Sequence, residues 1–333
     1  MKRLLTCTVL AFLSVLLFAA SAFSAGKTGI ILLSTPFGTG SYVLGTAMES
    51  IVNKGNYSIT VAHAETPGQA FNINKLSTDA EARKHTVVTA SSGINWLAER
   101  GAKPFPAKRT PLLLIGGYNY CITWLVTTDA SIKTMADLKG KRIAMGRIPQ
   151  PIWGYEPDAL LKHGYSDDFY KSLKIQYVGT SEAATALVNG QVDAATVGGY
   201  IDPINGAFSP APQTVEVVAS GRPLIHLDWT KEAVERTASR DIVLTPYQVP
   251  PNSVEGQSAP LWAGADKQGF FAHPELPEEL AYEFTKAMIE NADAFVNFHA
   301  MGALISKEGL VKGWKEEDIH PGALRAYKEA GIL

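Results

Sequence analysis

The chain has 333 residues, 46% of them hydrophobic and 19% charged, with a formal net charge of −2. That is the balance of a globular protein long enough to fill two lobes rather than one small core. It leaves no electrostatic footprint for nucleic acid, since no basic cluster exceeds "KGKR" (Lys139–Arg142), and no nucleic-acid partner is expected.

Lys2 and Arg3, the apolar run "LLTCTVLAFLSVLLFAA" and the small residues of "SAFSAGK" predict a secretory signal over residues 1–24. Cleavage after Ala22 satisfies an Ala-x-Ala site with Ala20, and cleavage after Ser24 is the close second. An uncleaved anchor is the competing reading, because the run approaches the length that spans a bilayer. Cleavage predicts an exported, periplasmic protein that keeps one cysteine, Cys121 in "NYCITW", and therefore no intramolecular disulfide. The apolar surroundings of Cys121 suit a buried small hydrophobe.

"GIILLS" (29–34) reads as a strand covered on both faces. "SYVLGTAMESIVNKG" follows as an amphipathic helix stopped at Gly55. "YSITVAHAE" and "GQAFNINKLSTD" repeat the strand–helix order, as do "HTVVTASS" and "GINWLAERG", which argues for a parallel α/β sheet. After the Pro-rich "AKPFPAKRTP", the run "LLLIGGYNYCITWLVTT" suggests two extended pieces joined near Gly116–Gly117. A second α/β unit runs from Thr128 to about Val218, and "PEELAYEFTKAMIENADAFVNFH" and "HPGALRAYKEAGIL" supply the closing helices. The chain order predicts residues 25–120 and 226–333 in one lobe and 121–225 in the other.

Open parallel sheets bind ligands beyond the carboxyl ends of their strands. In "TPFGTGSY", Gly38 and Gly40 admit a close backbone approach, and Thr35, Thr39 and Ser41 supply hydroxyls at a helix start. A P-loop lysine, a third dinucleotide-type glycine and a G-x-S-x-G elbow are all missing from it. A helix N-terminus favours an anion by about 0.3–1 kcal/mol, up to ~2 when partly buried, although Ser41 or Thr39 acting as a plain cap is the simpler role. In "AETPGQAFN", Thr66 or Gly68 opens the next helix, with Gln69 and Asn72 in its first turn, and Ser91 and Ser92 repeat the pattern in "TASSGIN". Three such helix mouths on one cleft suit a small carboxylate-bearing molecule. The seven histidines show no metal-ligand spacing, so no metal and no cofactor is expected. His63, two residues from Glu65, reads as a surface histidine, and no nucleophile–base pair recommends catalysis.

The ordered set "GTGSYVLGTAMESIVNK", "ETPGQAFNINKL", "IKTMADLKGKRIAMG", "ALVNGQVDAATVGGYIDP" and "HPGALRAYKEAGI" resembles the TAXI family, the solute-binding subunits of tripartite ATP-independent periplasmic (TRAP) transporters. The resemblance runs through the whole mature chain. It implies a type II periplasmic-binding-protein fold, α/β, with two lobes of mixed sheet joined by a two-segment hinge. It also implies a ligand held between the lobes and delivered to TRAP membrane subunits by hinge closure. Carried over residue by residue, it places Gly38, Thr39, Gly40, Ser41, Tyr42, Thr66, Gly68, Gln69, Asn72, Ser91 and Ser92 at the ligand from one side. Gly198, Gly199, Tyr200 and Pro203 face it from the other.

The chain departs from the family after "MG", where a G-S-G-T-like loop is replaced by "RIPQPIWGYEP". Pro149 and Pro151 remove backbone donors there. Trp153 and Tyr155 are expected to stack on a bulkier organic acid, with Gln150 beside them and Arg147 as counter-ion; lobe packing is the other role open to Trp153. The alternatives are a binding protein of the same fold for an ATP-driven importer or a sensor kinase and, more distantly, a periplasmic α/β hydrolase.

Overall fold

The computed structural model describes residues 26–333 apart from Gly38 and Pro149, so the expected signal over 1–24 and its cleavage points lie outside the described residues. Three strand–helix units open the chain: β1 (Thr28–Leu33) and α1 (Gly40–Lys54), β2 (Ile59–Ala64) and α2 (Gln69–Thr78) with the short α3 (Ala80–Arg83), then β3 (Thr86–Ser91) and α4 (Ser92–Arg100). All six residues of β3 are buried, as a strand covered on both faces requires. In α1, Leu44, Ala47, Met48, Ile51 and Val52 form the buried stripe at helical spacing, and Gly55 closes the helix by donating to the Ile51 and Val52 carbonyls.

The segment after the Pro-rich break is one strand of 15 residues, β4 (Leu113–Thr127), and not two pieces. Gly116 and Gly117 are there for packing: a Cβ at Gly116 would lie 2.6 Å from Met288 Sδ, and one at Gly117 3.0 Å from the Leu310 carbonyl oxygen. β5 (Arg142–Met145), α5 (Glu156–Gly164), α6 (Asp167–Ser172), β6 (Lys174–Tyr177), α7 (Thr180–Val188) and β7 (Ala194–Ile201) build the second α/β unit. β8 (Phe208–Pro210), α8 (Pro212–Ala219), β9 (Ile225–Leu227), α9 (Lys231–Arg240) and β10 (Thr245–Val249) follow. The chain closes with β11 (Leu261–Ala272), α10 (Glu278–Glu290) and α11 (Pro321–Glu329). The long helix expected after Pro277 ends at Glu290 and continues only as a 3-10 turn over Ala292–Asn297.

The main path of the sheet is β2-β1-β3-β11-β4-β7-β5-β6. Pairing is parallel within β2-β1-β3 and within β7-β5-β6, and antiparallel wherever β4 or β11 takes part. The architecture is therefore two α/β lobes of mixed sheet, with β4 and β11 lying side by side through both. The second half of β11 pairs with β3, whereas its first half pairs with β10. Register shifts in the β4–β11 ladder fall at Gln268/Gly269 and Phe270/Phe271. Cys121 sits fully buried on β4, and burial pushes its thiol well up, out of reactive range. Among the described residues no helix is long and apolar enough to cross a membrane.

Asn72 of α2 ties the first lobe's strand ends together. Its fully buried amide donates to the Ser34 carbonyl at 2.9 Å and the Thr89 carbonyl at 3.2 Å, and accepts from the Thr66 hydroxyl at 2.7 Å. Asn72→Ala would strand these buried partners and is expected to cost about 3 kcal/mol. Urea unfolding should show it as a lower midpoint with the slope unchanged; a loss below about 1 kcal/mol would mean water replaces the amide.

Candidate functional site

A cavity of about 500 Å³ lies between the lobes. One wall comes from the loops after β1 and β2 and from Ile94 of α4; the opposite wall comes from Gln150 to Trp153 and Tyr200 of β7; Gln268 of β11 reaches in at the crossing. Two helices start at this cavity. Thr39 caps α1, its hydroxyl accepting from the Tyr42 amide at 3.3 Å. α2 starts after Gly68, whose φ of 140° lies in a region glycine enters most readily, and no side chain caps its first amides.

The loop that departs from the family pattern folds into one π-helical turn, Pro151–Tyr155. Pro151 stands at the first position of that turn, where a missing N–H costs nothing. The Gln150 carbonyl accepts from Gly154 at 2.9 Å and Tyr155 at 3.3 Å, and Gly146 donates to the Trp153 carbonyl at 2.7 Å. This turn holds Pro151, Ile152 and Trp153 against the cavity.

Of the residues expected at the ligand, the structure brings Thr39, Gly40, Ser41, Gly68, Gln69, Gln150, Trp153 and Tyr200 to this cavity. Gly38 and Pro149 lie outside the described residues. The others are engaged elsewhere. Tyr42 packs its ring on His63, 4.8 Å between centroids. Thr66 and Asn72 bond each other and the Ser34 carbonyl. Ser91 caps α4, and Ser92 donates to Asp266 at 2.7 Å. Gly198 and Gly199 are buried in β7 between the Ile122 and Ser209 carbonyls, and Pro203 lies just beyond that strand, outside the cavity wall. Tyr155 turns to Asp241, donating at 2.8 Å. Arg147 faces Glu182 at 3.6 Å, with both side chains well exposed.

Sequence reading missed Phe71, Ile94, Ile152 and Gln268 in the cavity wall. Phe71 and Ile152 lie inside loops already singled out, whereas only tertiary structure brings Gln268 to Gln69, with their amides 3.1 Å apart. Beside the cavity His63 is half-buried, contrary to a surface position. Its ring lies 2.7 Å from the buried Ser34 hydroxyl and 3.2 Å from Thr46 Oγ1, with no carboxylate on the second nitrogen. Burial lowers its pKa, so the ring is neutral at neutral pH.

Behind the cavity two carboxyls are fully buried: Glu156, at the start of α5, and Asp266 on β11. They flank Gly93 of α4, where a Cβ would stand 3.0 Å from Glu156 Oε1 and 3.1 Å from Asp266 Oδ2. Asp266 Oδ1 accepts from Ser92 Oγ and from the Gly93 amide at 2.8 Å. Burial, with the Asp266 charge added, pushes Glu156 well above the usual carboxylate range. Asp266 is raised by burial but held back by its donors. Glu156 is thus the protonated member of the pair.

The sequence profile of the NMT1-like family matches residues 33–331. Among solved structures, a TctC solute-binding protein from Polaromonas, determined without ligand, is 16% identical over 93% of this chain and 98% of its own, with a TM-score of 0.53. A periplasmic sulfonate-binding protein from Methylobacillus flagellatus is 16% identical over 92% and 79%, with a TM-score of 0.46. MatC from Rhodopseudomonas palustris, with bound malate, is 14% identical over 91% and 96%, with a TM-score of 0.47. The first of these likenesses shows the two-lobe periplasmic-binding-protein fold.

The acid pair gives stability a pH dependence of defined sign. Unfolded, Glu156 titrates near its ordinary 4.5; folded, it keeps its proton to higher pH. Between those two values the native state binds more protons, so stability falls as pH rises, by up to about 1.4 kcal/mol per pH unit. Glu156→Gln mimics the neutral carboxyl and is expected to remove this slope. Urea unfolding over roughly pH 5 to 8 should show the variant gaining on the wild type as pH rises; a difference independent of pH would mean that Glu156 is ionised in the native state.

Proposed function

The chain belongs to the NMT1-like family, and on that premise we propose that it is the periplasmic solute-binding subunit of a TRAP-type transporter of the TAXI kind. In this reading it captures a small organic acid or amino-acid-like molecule between its lobes and presents the closed form to membrane subunits. The observation that carries the proposal is the cavity itself: its walls come from both lobes, and its inner end is a residue of a crossing strand. A ligand there touches both lobes only when they are closed, so binding shifts the population toward the closed form.

The acid group is assigned to the starts of α1 and α2, whose amide dipoles favour negative charge. The uncapped first turn of α2 offers the free donors. Phe71, Ile94, Ile152 and Trp153 give the remaining wall an apolar character that suits an aliphatic or aromatic body. No charged side chain lines the cavity among the described residues, so Arg147 is assigned no part as counter-ion. The first crossing between lobes is placed near residues 117–120. The second is placed near 266–269 rather than at 225/226, because β9 pairs with Leu125–Thr127, α9 packs on α5 and β10 pairs with the first half of β11.

Thermal shift and calorimetry against small organic acids and amino acids provide the test. A ligand at 100 times its Kd should add about 2.7 kcal/mol of stability; stabilisation by neutral sugars or by inorganic ions alone would defeat the reading. For the acid that binds, Trp153→Ala is expected to weaken affinity about tenfold or more through lost apolar contact. Arg147→Ala should leave it within about twofold, as befits an exposed ion pair. The reverse ranking by calorimetry would return the counter-ion role to Arg147.

A further inference from the structure

The polar groups at the inner end of the cavity form a chain with a direction. Asp266 and Gln268 stand two residues apart on β11 and so share a face of the strand. Gln268 Nε2 lies 3.4 Å from Asp266 Oδ2, and Gln268 Oε1 accepts from Gln69 Nε2 at 3.1 Å. A carboxylate only accepts, whereas an amide has one accepting and one donating end. Asp266 already takes the Ser92 hydroxyl and the Gly93 amide. Its other oxygen, which shares the space around Gly93 with the Glu156 carboxyl, accepts from the NH2 end of Gln268, which turns the Gln268 oxygen outward. Gln69 must then offer its own NH2 to Gln268, and its Oε1 is left with no protein donor among the described residues, at a cavity wall. Across the cavity the opposite holds. The Gln150 oxygen accepts from the Arg147 amide at 3.0 Å, which leaves the Gln150 NH2 group as the free end.

We propose that Asp266, acting through Gln268, fixes Gln69 as a hydrogen-bond acceptor in the cavity wall, so that the ligand carries an N–H or O–H group there in addition to its acid group. The class is a hydroxy acid, amino acid or amide-bearing acid with an apolar body, not a plain dicarboxylate. An ionised second carboxylate at Gln69 would meet an acceptor that cannot turn over without breaking the bond to Gln268. Gln69 is the contact residue; Gln268 and Asp266 are positioning residues. The inference rests on the organic-acid reading above.

The test uses pairs of carboxylates that differ only in a capped donor: 4-hydroxybenzoate against 4-methoxybenzoate, 2-hydroxy-4-methylpentanoate against its methyl ether, and N-acetylglycine against its N-methyl form. Each is titrated calorimetrically into the wild type, Gln69→Met and Gln268→Leu. The wild type should prefer the donor member of a binding pair by about tenfold, the value of one hydrogen bond to a fixed partner. Gln69→Met, which keeps the bulk but lacks the acceptor, should bring the ratio within about threefold. So should Gln268→Leu, which frees the Gln69 amide to rotate, while affinity for the capped member stays near the wild-type value in both. Thermal melting of the ligand-free variants confirms that they fold. Equal binding of both members by the wild type, or an unchanged ratio in Gln69→Met, overturns the inference and leaves the organic-acid reading standing. An unchanged ratio in Gln268→Leu alone removes the positioning role of Gln268 and Asp266. If no carboxylate of any pair binds, both readings fall together.

Discussion

The cavity exists because β4 and β11 are paired with each other through both lobes. Each end of β4 is fastened to a different body. The Thr285 and Tyr327 hydroxyls both donate to the Ile115 carbonyl, at 3.0 and 2.9 Å, from the closing helices, whereas the Trp229 indole donates to the Thr123 carbonyl at 2.9 Å from the other side. Buried backbone hydrogen bonds resist breaking one at a time. On the proposed reading, rotation of one lobe against the other would concentrate where the ladder is already irregular, at Gln268/Gly269 and Phe270/Phe271. Gln268, the residue at that irregularity, is also the one that reaches the cavity. On that reading, ligand contact and lobe orientation would meet at a single strand position.

Local pattern carried much of the fold. The strand–helix alternation up to residue 100 and the order of the second unit are written in apolar periodicity and in capping residues such as Thr39 and Ser91, because those are short-range matters. β4 was not legible as one strand. Gly116–Gly117 looks like a turn until Met288 and the Leu310 carbonyl are seen pressing on it from elements far away in the chain. The strand partners of residues 225–249 were equally obscure. β9 and β10 are short strands whose membership is decided by partners, Leu125–Thr127 and Leu261–Ala265, and not by their own composition.

For the cavity, sequence pointed to several of the loops that line it and named more residues than reach it. Hydroxyls and amides after a strand end look alike whether they serve a ligand or the scaffold. Thr66, Asn72, Ser91 and Ser92 all have the right chemistry, yet each bonds a neighbouring loop, a helix end or the buried Asp266. Arg147 shows the same limit for charge. Its place in the same loop as Trp153 suggested a counter-ion, but its guanidinium faces Glu182 and does not line the cavity. Glu156 and Asp266 carried no signal at all, since 110 residues separate them and nothing local marks either as buried.

What remains free after these engagements defines the character of the cavity more closely than its full list of polar residues. With no charged side chain in the wall among the described residues, attraction for an acid group must come from backbone amides at the starts of α1 and α2. Such dipoles are fixed by the helices themselves and need no rotamer ordering when the ligand arrives, unlike a long arginine drawn in from solvent. They are also weaker than a bidentate guanidinium. On the proposed reading, discrimination among acids then falls to the two amide side chains whose polarity the protein has already set, Gln69 by way of Gln268 and Gln150 by way of the Arg147 amide. On that reading, charge would bring an acid to this cleft only weakly, and the direction of neutral hydrogen bonds would decide which acid stays.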